Sequence, residues 1–362
     1  MNTEIIKIIE GSLNNDKQKV ISYAKVLANN LEQEGEVLVA RKIRKMIGDK
    51  DIHPVYLDDL LSKPVDKESR MDILDVEVPS GNFQSLIFSY NLTKEIDQFI
   101  AMAKNKEKLY SFGIESPHSL LLYGVPGGGK TSIAKYISEK MELPLVTARL
   151  DSLISSLLGS TAKNIRRIFE FSSKQPCILF LDEFDAIAKA RDDKHELGEL
   201  KRVVNTLLQN IDEFNNNNIL IAATNHPDLL DSAIWRRFST VIEVPVPAEN
   251  EINELIKRFL GNMMYDFQDN TKLFNNIQAL LEGCSPADIK NICINCMKKT
   301  IINDKQQIEY QDLIYEIYLF KYHNISELES VVKFMNDNGV AQMKIHKAIN
   351  LSLRQIRNIL KK

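Results

Sequence analysis

The spacing of apolar residues changes along the chain, and each change predicts a different kind of structure. In "KQKVISYAKVLANNLEQEG" (17–35), Val20, Ile21, Ala24, Leu27, Ala28 and Leu31 recur at the helical period. Gly35 stops that helix and "EVLVARKIRKMIG" (36–48) begins another, so residues 1–48 read as a helical N-terminal domain. Its "RKIRK" cluster (41–45) is either a solvated helix face or a docking face for a partner. Residues 49–80 carry Pro54, Pro64 and Pro79 among many charges and read as a linker. From 81 to 247 short apolar runs alternate with helical stretches. The runs are "SLLLYG" (119–124), "LPLVTARL" (143–150), "PCILFLDE" (176–183), "ILIAATN" (219–225) and "TVIEVPVP" (240–247). That alternation predicts an α/β domain, with a five-stranded parallel sheet covered by helices on both faces. Residues 248–321 read as an all-helical second domain, and 322–362 as a further helical region, basic at its end.

Composition narrows the class without naming a function. The chain has 362 residues, 44% apolar and 26% charged, with a net charge of -3. These are values for a soluble globular protein, and any nucleic-acid or anionic-membrane role requires a local patch. The N-terminus lacks a signal-peptide core, and no apolar run is long enough to span a membrane, so the expected location is the cytoplasm. Four cysteines are too few for a disulfide scaffold. Cys293 and Cys296 form a CxxC, but it lies in a stretch with helical periodicity and lacks partners at zinc spacing, which favours buried helix residues.

The first chemistry lies in "GVPGGGKTS", Gly124, Val125, Pro126, Gly127, Gly128, Gly129, Lys130, Thr131 and Ser132. It fits G-x-x-x-x-G-K-[ST] between a strand and a helix. A loop that wraps phosphate oxygens with its own N–H groups needs glycine, because side chains block the approach. The helix N-terminus adds a favourable dipole, Lys130 reaches the β- and γ-phosphates, and Thr131 offers a hydroxyl to Mg²⁺. The pattern predicts nucleotide binding and leaves the purpose of hydrolysis open.

Asp182 and Glu183 end a buried strand in "CILFLDEFDAIA". An acid at that position suits Mg²⁺, held by Asp182 through water, and the second acid, Glu183, activates the attacking water. The plainer reading is two solvated carboxylates at a strand end. Asp185 reads as a helix N-cap. Asn225 ends the next strand, where its amide places the attacking water from the side opposite Glu183. His226 precedes a proline and reads as structural. Arg236 and Arg237, in "DSAIWRRF" (231–238), are a surface salt-bridging pair or a grip for negative charge.

Four stretches in order resemble the AAA branch of AAA+ ATPases: "FGIESPHSLLLYGVPGGGKTS", "ILFLDEFDAIA", "AATNHPDLLDSAIWRRF" and "GCSPADIKNI" (283–292). The resemblance covers roughly 80 to 310. It implies a P-loop NTPase fold with a helical lid, ATP with Mg²⁺ as cofactors, and a ring, usually a hexamer, with each nucleotide at a subunit boundary. It also implies that Arg236 and Arg237 reach the neighbouring subunit's γ-phosphate, where a guanidinium stabilises the charge of the transferring phosphoryl group. The lid motif offers Ala287, expected at the nucleotide, and Asp288 where some AAA+ branches carry a sensing arginine, which fits the AAA branch, usually without it.

One departure bears on mechanism. The family's substrate-gripping pore loop usually carries an aromatic residue two positions before its glycine; here Leu157 and Leu158 precede Gly159. Leucines grip apolar side chains less strongly than an aromatic, which favours limited remodelling over processive threading. "HELGE" (195–199) misses the zinc-protease pattern at its fifth residue, so any proteolysis comes from a separate chain. A narrower resemblance, in "TARLDSLISSLLGSTAKNIRRIFEF", "FLDEFDAIAKAR" and "TNHPDLLDSAIWRRF", is to bacterial AAA ATPases encoded beside subtilisin-like serine proteases. It implies such a protease as partner, in antiviral (anti-phage) defence or in plasmid incompatibility.

The tail is basic. From Ala341 onward the chain has Lys344, Lys347, Arg354, Arg357, Lys361 and Lys362 and no acid. Helix, short "NLS" turn and second helix resemble a helix-turn-helix, with the lysines and arginines on phosphates and Gln355 and Asn358 on bases. The plainer reading is a small bundle with Ile345, Ile349, Leu353, Ile356 and Leu360 inside. The alternative function is therefore an ATP-switched DNA-binding or nucleic-acid-sensing regulator.

Overall fold

Most of the apolar runs form strands buried on both faces, the run at 240–244 alternates buried and exposed residues, and the stretches between them form amphipathic helices. A computed structural model describes residues 5–9, 17–33, 36, 39–40, 42–43, 73–81, 86–112, 118–150, 158–174, 176–186, 199–214, 218–323 and 328–361. In chain order the elements are α1 (Lys17–Gln33), β1 (Asp75–Glu77), α2 (Tyr90–Lys104), α3 (Lys106–Ser111), β2 (His118–Gly124), α4 (Lys130–Met141), β3 (Leu145–Arg149), α5 (Leu158–Ser173), β4 (Ile178–Asp182), α6 (Glu199–Phe214), β5 (Ile219–Thr224), α7 (Ser232–Trp235) and β6 (Thr240–Val244). Then follow α8 (Glu249–Leu260), α9 (Thr271–Leu281), α10 (Pro286–Ile302), α11 (Tyr310–Tyr322), α12 (Leu328–Asp337), α13 (Gln342–Ile349) and α14 (Leu353–Lys361).

The chain divides into two compact units, and residues 81–247 contribute to both. The first holds residues 1–83, 138–182 and 189–220. There β3 pairs parallel with β4 (Val146 opposite Leu179) and antiparallel with β1 (Val76 opposite Val146). The short strand β1 adds to the expected parallel strands and falls in the stretch read as linker. Three residues are too few to show a period of two, which is why the pattern did not reveal it. Ile178, Leu179, Phe180 and Leu181 are fully buried. Helices α5 and α6 pack together, and the rings of Phe169 and Phe214 meet edge to face at 5.4 Å.

The second unit holds residues 84–137, 183–188 and 221–362. Strand β2 pairs parallel with β6 from Leu120 opposite Thr240 to Gly124 opposite Val244, and α2 packs on both strands. Helices α8 to α11 share one apolar core that continues into α12, α13 and α14. Phe267 is fully buried in it, with the rings of Tyr265 at 4.8 Å and of Phe274 and Tyr310 at 6.2 Å. Emptying such a position costs about 3–5 kcal/mol, which makes it a centre of the helical core. Cys293 and Cys296 lie fully buried on the inner side of α10, as the helical periodicity predicts. Burial pushes the Cys293 thiol up to about 12 and raises that of Cys296 as well. Among the described residues no helix is long and apolar enough to cross a membrane.

Candidate functional site: the phosphate loop and its surroundings

The loop from Gly124 to Gly129 is shaped by glycines that no other residue can replace without strain. Gly124 (φ 148) lies so close to β6 that a Cβ would stand 2.2 Å from the Val244 carbonyl oxygen. Gly127 (φ 73) and Gly129 (φ 106) occupy backbone regions that side chains disfavour. The Gly128 N–H donates to the Val125 carbonyl at 3.1 Å and closes the turn. Val125 and Pro126 are exposed at its tip. Lys130 opens α4 and is buried, with its ammonium donating to the carbonyls of Gly124 at 2.8 Å and Val125 at 2.9 Å. Thr131 is exposed and Ser132 half-buried in the first turn of α4.

The loop meets the start of α10. The Ala287 N–H donates to the Gly127 carbonyl at 3.3 Å. A Cβ on Gly127 would stand 2.7 Å from both the Ala287 methyl and the Ser285 hydroxyl. Ser285 is itself fixed, because it caps α10 in a reciprocal box with Asp288, whose carboxylate accepts from the Ser285 N–H at 2.9 Å and hydroxyl at 2.7 Å. The sequence motif pointed to Ala287; the role of Ser285 as a wall against Gly127 carries no sequence signal.

Asp182 is half-buried at the end of β4, and Glu183 follows it, exposed, with φ 56. A left-handed conformation costs a residue with a Cβ about 1–2 kcal/mol, and such strain concentrates at working sites. Phe184 then returns to the sheet, its N–H donating to the Ala223 carbonyl of β5 at 2.8 Å. Asp185 is buried, and its carboxylate accepts from the Thr224 hydroxyl at 3.3 Å and the Asn225 N–H at 3.4 Å. Besides the N-cap position read from the sequence, whose helix partners lie outside the described residues, the Asp185 side chain thus reaches the tip of the neighbouring strand. Asn225 is half-buried there, and His226 is exposed beyond it.

The arginine pair ends α7. Asp231 caps that helix by accepting from the Ile234 N–H at 2.9 Å, and the Trp235 indole donates to the Leu230 carbonyl at 3.0 Å and packs edge-on against Tyr123 at 5.7 Å. Arg236 is exposed. Arg237 is half-buried and donates from Nη1 to the Ala233 carbonyl at 2.7 Å. Its own carbonyl accepts from the buried Ser119 hydroxyl at 3.0 Å, and Ser239 donates its N–H to that hydroxyl at 2.9 Å. Phe238 packs edge-on against Phe184 at 5.8 Å. Backbone and rings thus hold the segment, while the Arg236 side chain points to solvent. Leu157 lies outside the described residues, and Leu158 begins α5.

Comparison with known proteins places the chain in a family. A family model, "ATPase family associated with various cellular activities (AAA)", matches residues 120–246. The chain is 34% identical over 313 residues to "Uncharacterized AAA family ATPase y4kL" of Sinorhizobium fredii, covering 85% of this chain and 92% of that relative. The chain belongs to the AAA family of ATPases. This AAA ATPase is also 32% identical over 247 residues to a "Proteasome-activating nucleotidase" of Saccharolobus islandicus, covering 66% of this chain and 62% of that one. It therefore spans less than two thirds of the length of that relative. The fold matches the crystal structure of the FIGL-1 AAA domain with a TM-score of 0.57, at 21% identity, over 74% of this chain and 92% of that domain. As an AAA ATPase the protein binds ATP and hydrolyses it.

Proposed function

We propose that this ATPase assembles as a ring, with a hexamer as the expected form, and spends ATP hydrolysis on remodelling a protein partner. The observation that carries the reading is the segment Asp231–Phe238, whose backbone is held by the Ser119 hydroxyl and whose Phe238 ring packs on Phe184 while Arg236 stands exposed. Arginines so presented suit the γ-phosphate of ATP bound to an adjacent subunit.

Within one subunit, Gly124 to Ser132 cradle the phosphates with backbone N–H groups, Lys130 neutralises the β- and γ-phosphates, and Ala287 borders the nucleotide. Thr131 and Asp182 are oxygen donors of the kind Mg²⁺ takes, and a bound Mg²⁺ would supply neutralisation of the charge that develops in phosphoryl transfer. Glu183 takes the proton of the attacking water, and Asn225 orients that water. The motif resemblance supports a separate subtilisin-like serine protease as the partner, in antiviral defence in the cytoplasm. The relatives named proteasome-activating nucleotidases support the broader idea of a protein partner. Leu157 and Leu158, where the resemblance expects an aromatic pore-loop residue, favour short-range remodelling.

The test is a pull-down with Glu183→Gln held in ATP. The substitution keeps the phosphate loop and removes the base, which lowers turnover by about 10²–10⁴-fold. A protein retained with ATP and released in ADP supports the reading, and identification of a serine protease supports its finer form. Retention of no protein under either nucleotide overturns it.

A further inference from the structure

The last three helices form a unit that ATP chemistry does not use. Helices α12, α13 and α14 pack against one another around Val331, Val332, Met335, Val340, Ile345 and Ile356. Helix α13 ends at Asn350, which takes the left-handed conformation (φ 56) and donates its N–H to the His346 carbonyl at 3.0 Å. The His346 ring nitrogen Nδ1 lies 2.7 Å from the Leu351 carbonyl oxygen. Ser352 then opens α14 in a reciprocal cap with Gln355, whose side-chain oxygen accepts from the Ser352 N–H at 3.0 Å and hydroxyl at 2.7 Å. Two helices joined by a tight three-residue turn and backed by a third are the framework of a helix-turn-helix.

The outward side of α14 is uniform. Arg354, Arg357, Asn358 and Lys361 recur at i, i+3, i+4 and i+7 and are all exposed, whereas Ile356 is fully buried and Leu353 and Leu360 half-buried. Lys347 of α13 is exposed as well. Asp337 is the last acid in the chain, so this end is basic in a protein of net charge -3. The structure also prunes the basic set: Lys344 is engaged with Asp266 at 3.2 Å, and the Gln355 oxygen is committed to its cap.

We propose that α14 is a recognition helix for double-stranded DNA, with Lys347, Arg354, Arg357 and Lys361 meeting phosphates and Asn358 facing base edges. Its exposed face carries no large apolar side chain, and protein interfaces are anchored by such side chains. A helix enters the wide major groove of B-form DNA, whereas the deep, narrow major groove of duplex RNA does not admit it. DNA occupancy would couple the ATPase to a nucleic-acid signal, an activity beyond remodelling of a protein.

The experiment is an anisotropy titration of the full chain against a labelled duplex of about thirty base pairs, from about 50 to about 200 mM salt. Log affinity is expected to fall linearly with log salt. Exchanging both exposed arginines, Arg354→Gln with Arg357→Gln, removes two phosphate contacts. That weakens binding roughly 50-fold near 0.1 M salt and flattens the slope by about two. Melting temperature and DNA-free ATP turnover stay unchanged, because neither side chain is in the apolar core or the phosphate loop. Absence of duplex binding at about 50 mM salt overturns the proposal, as does a double variant that binds like the parent. Equal affinity for duplex RNA, or equal competition by polyglutamate, also overturns it, since either makes the face a general polyanion or protein contact.

Discussion

Asp185 accepts a hydrogen bond from the backbone N–H of Asn225 at 3.4 Å, and the same carboxylate oxygen accepts from the Thr224 hydroxyl at 3.3 Å. The loop after β4 and the tip of β5 are thereby tied to each other through one buried side chain. Glu183 lies two residues before Asp185, and the bond holds the backbone of Asn225, whose side-chain amide is the proposed water-orienting group.

Replacing Asp185 tests that tie. Asp185→Ala leaves the Thr224 hydroxyl and the Asn225 N–H without this acceptor, at a cost of about 1–3 kcal/mol. Turnover is expected to fall by roughly tenfold or more with a smaller change in ATP affinity, because the loss is one of positioning. Asp185→Asn keeps an acceptor oxygen and should recover most of the activity. Steady-state kinetics of both variants, with KM and kcat separated, checks this; equal loss in the two would remove the positioning role.

The arginine pair predicts a complementation result. Arg237→Ala should retain ATP binding and lower turnover by on the order of 10³-fold. Lys130→Ala should lose ATP binding. Mixing the two restores part of the activity in a ring, because an intact loop from one subunit then meets an intact arginine from another. Turnover measured against mixing ratio checks this, and a flat zero would place Arg237 outside the neighbour's site.

Gly127→Ala should disturb both fold and nucleotide binding. The new methyl would stand 2.7 Å from the Ala287 methyl and the Ser285 hydroxyl, on a backbone with φ 73. Strain and overpacking together cost about 1–3 kcal/mol. Thermal melts with and without ATP should show a lower melting temperature and a smaller shift on adding ATP.

The buried thiols make the stability depend on alkaline pH. Burial raises Cys177 and Cys293 to about 12, against an ordinary value of 9.0. The folded chain keeps these protons where the unfolded chain gives them up. Stability is therefore full below about pH 9 and declines as the pH rises from there toward 12. Urea melts at pH 8 and pH 10 should show the fall. At pH 8 a maleimide should label these thiols only in denaturant.

The glycine-rich loop between a strand and a helix was legible in the sequence alone, because the chemistry proposed for it dictates residue type at fixed local spacing. An N–H cradle requires glycine, and the following lysine and threonine must sit at the head of a helix. The alternation of apolar runs with amphipathic stretches was legible for the same reason: burial on both faces of a strand and on one face of a helix leaves different periods. The face of α14 was legible too, since i, i+3, i+4 and i+7 follow from helix geometry alone.

Tertiary structure decided what depends on which distant segments meet. Asp185 after a strand end suits a helix cap by sequence, and only the course of β5 brings Thr224 and Asn225 within its reach. Gln355 was read as facing bases; its side-chain oxygen instead completes the cap with Ser352. Gly127 belongs to the motif by sequence, but its closeness to Ser285 and Ala287 arises because α10 starts against the loop, far along the chain. Local patterns record the demands a residue places on its own backbone and on water, whereas such long-range pairs are fixed by packing of elements whose order in space no local pattern encodes.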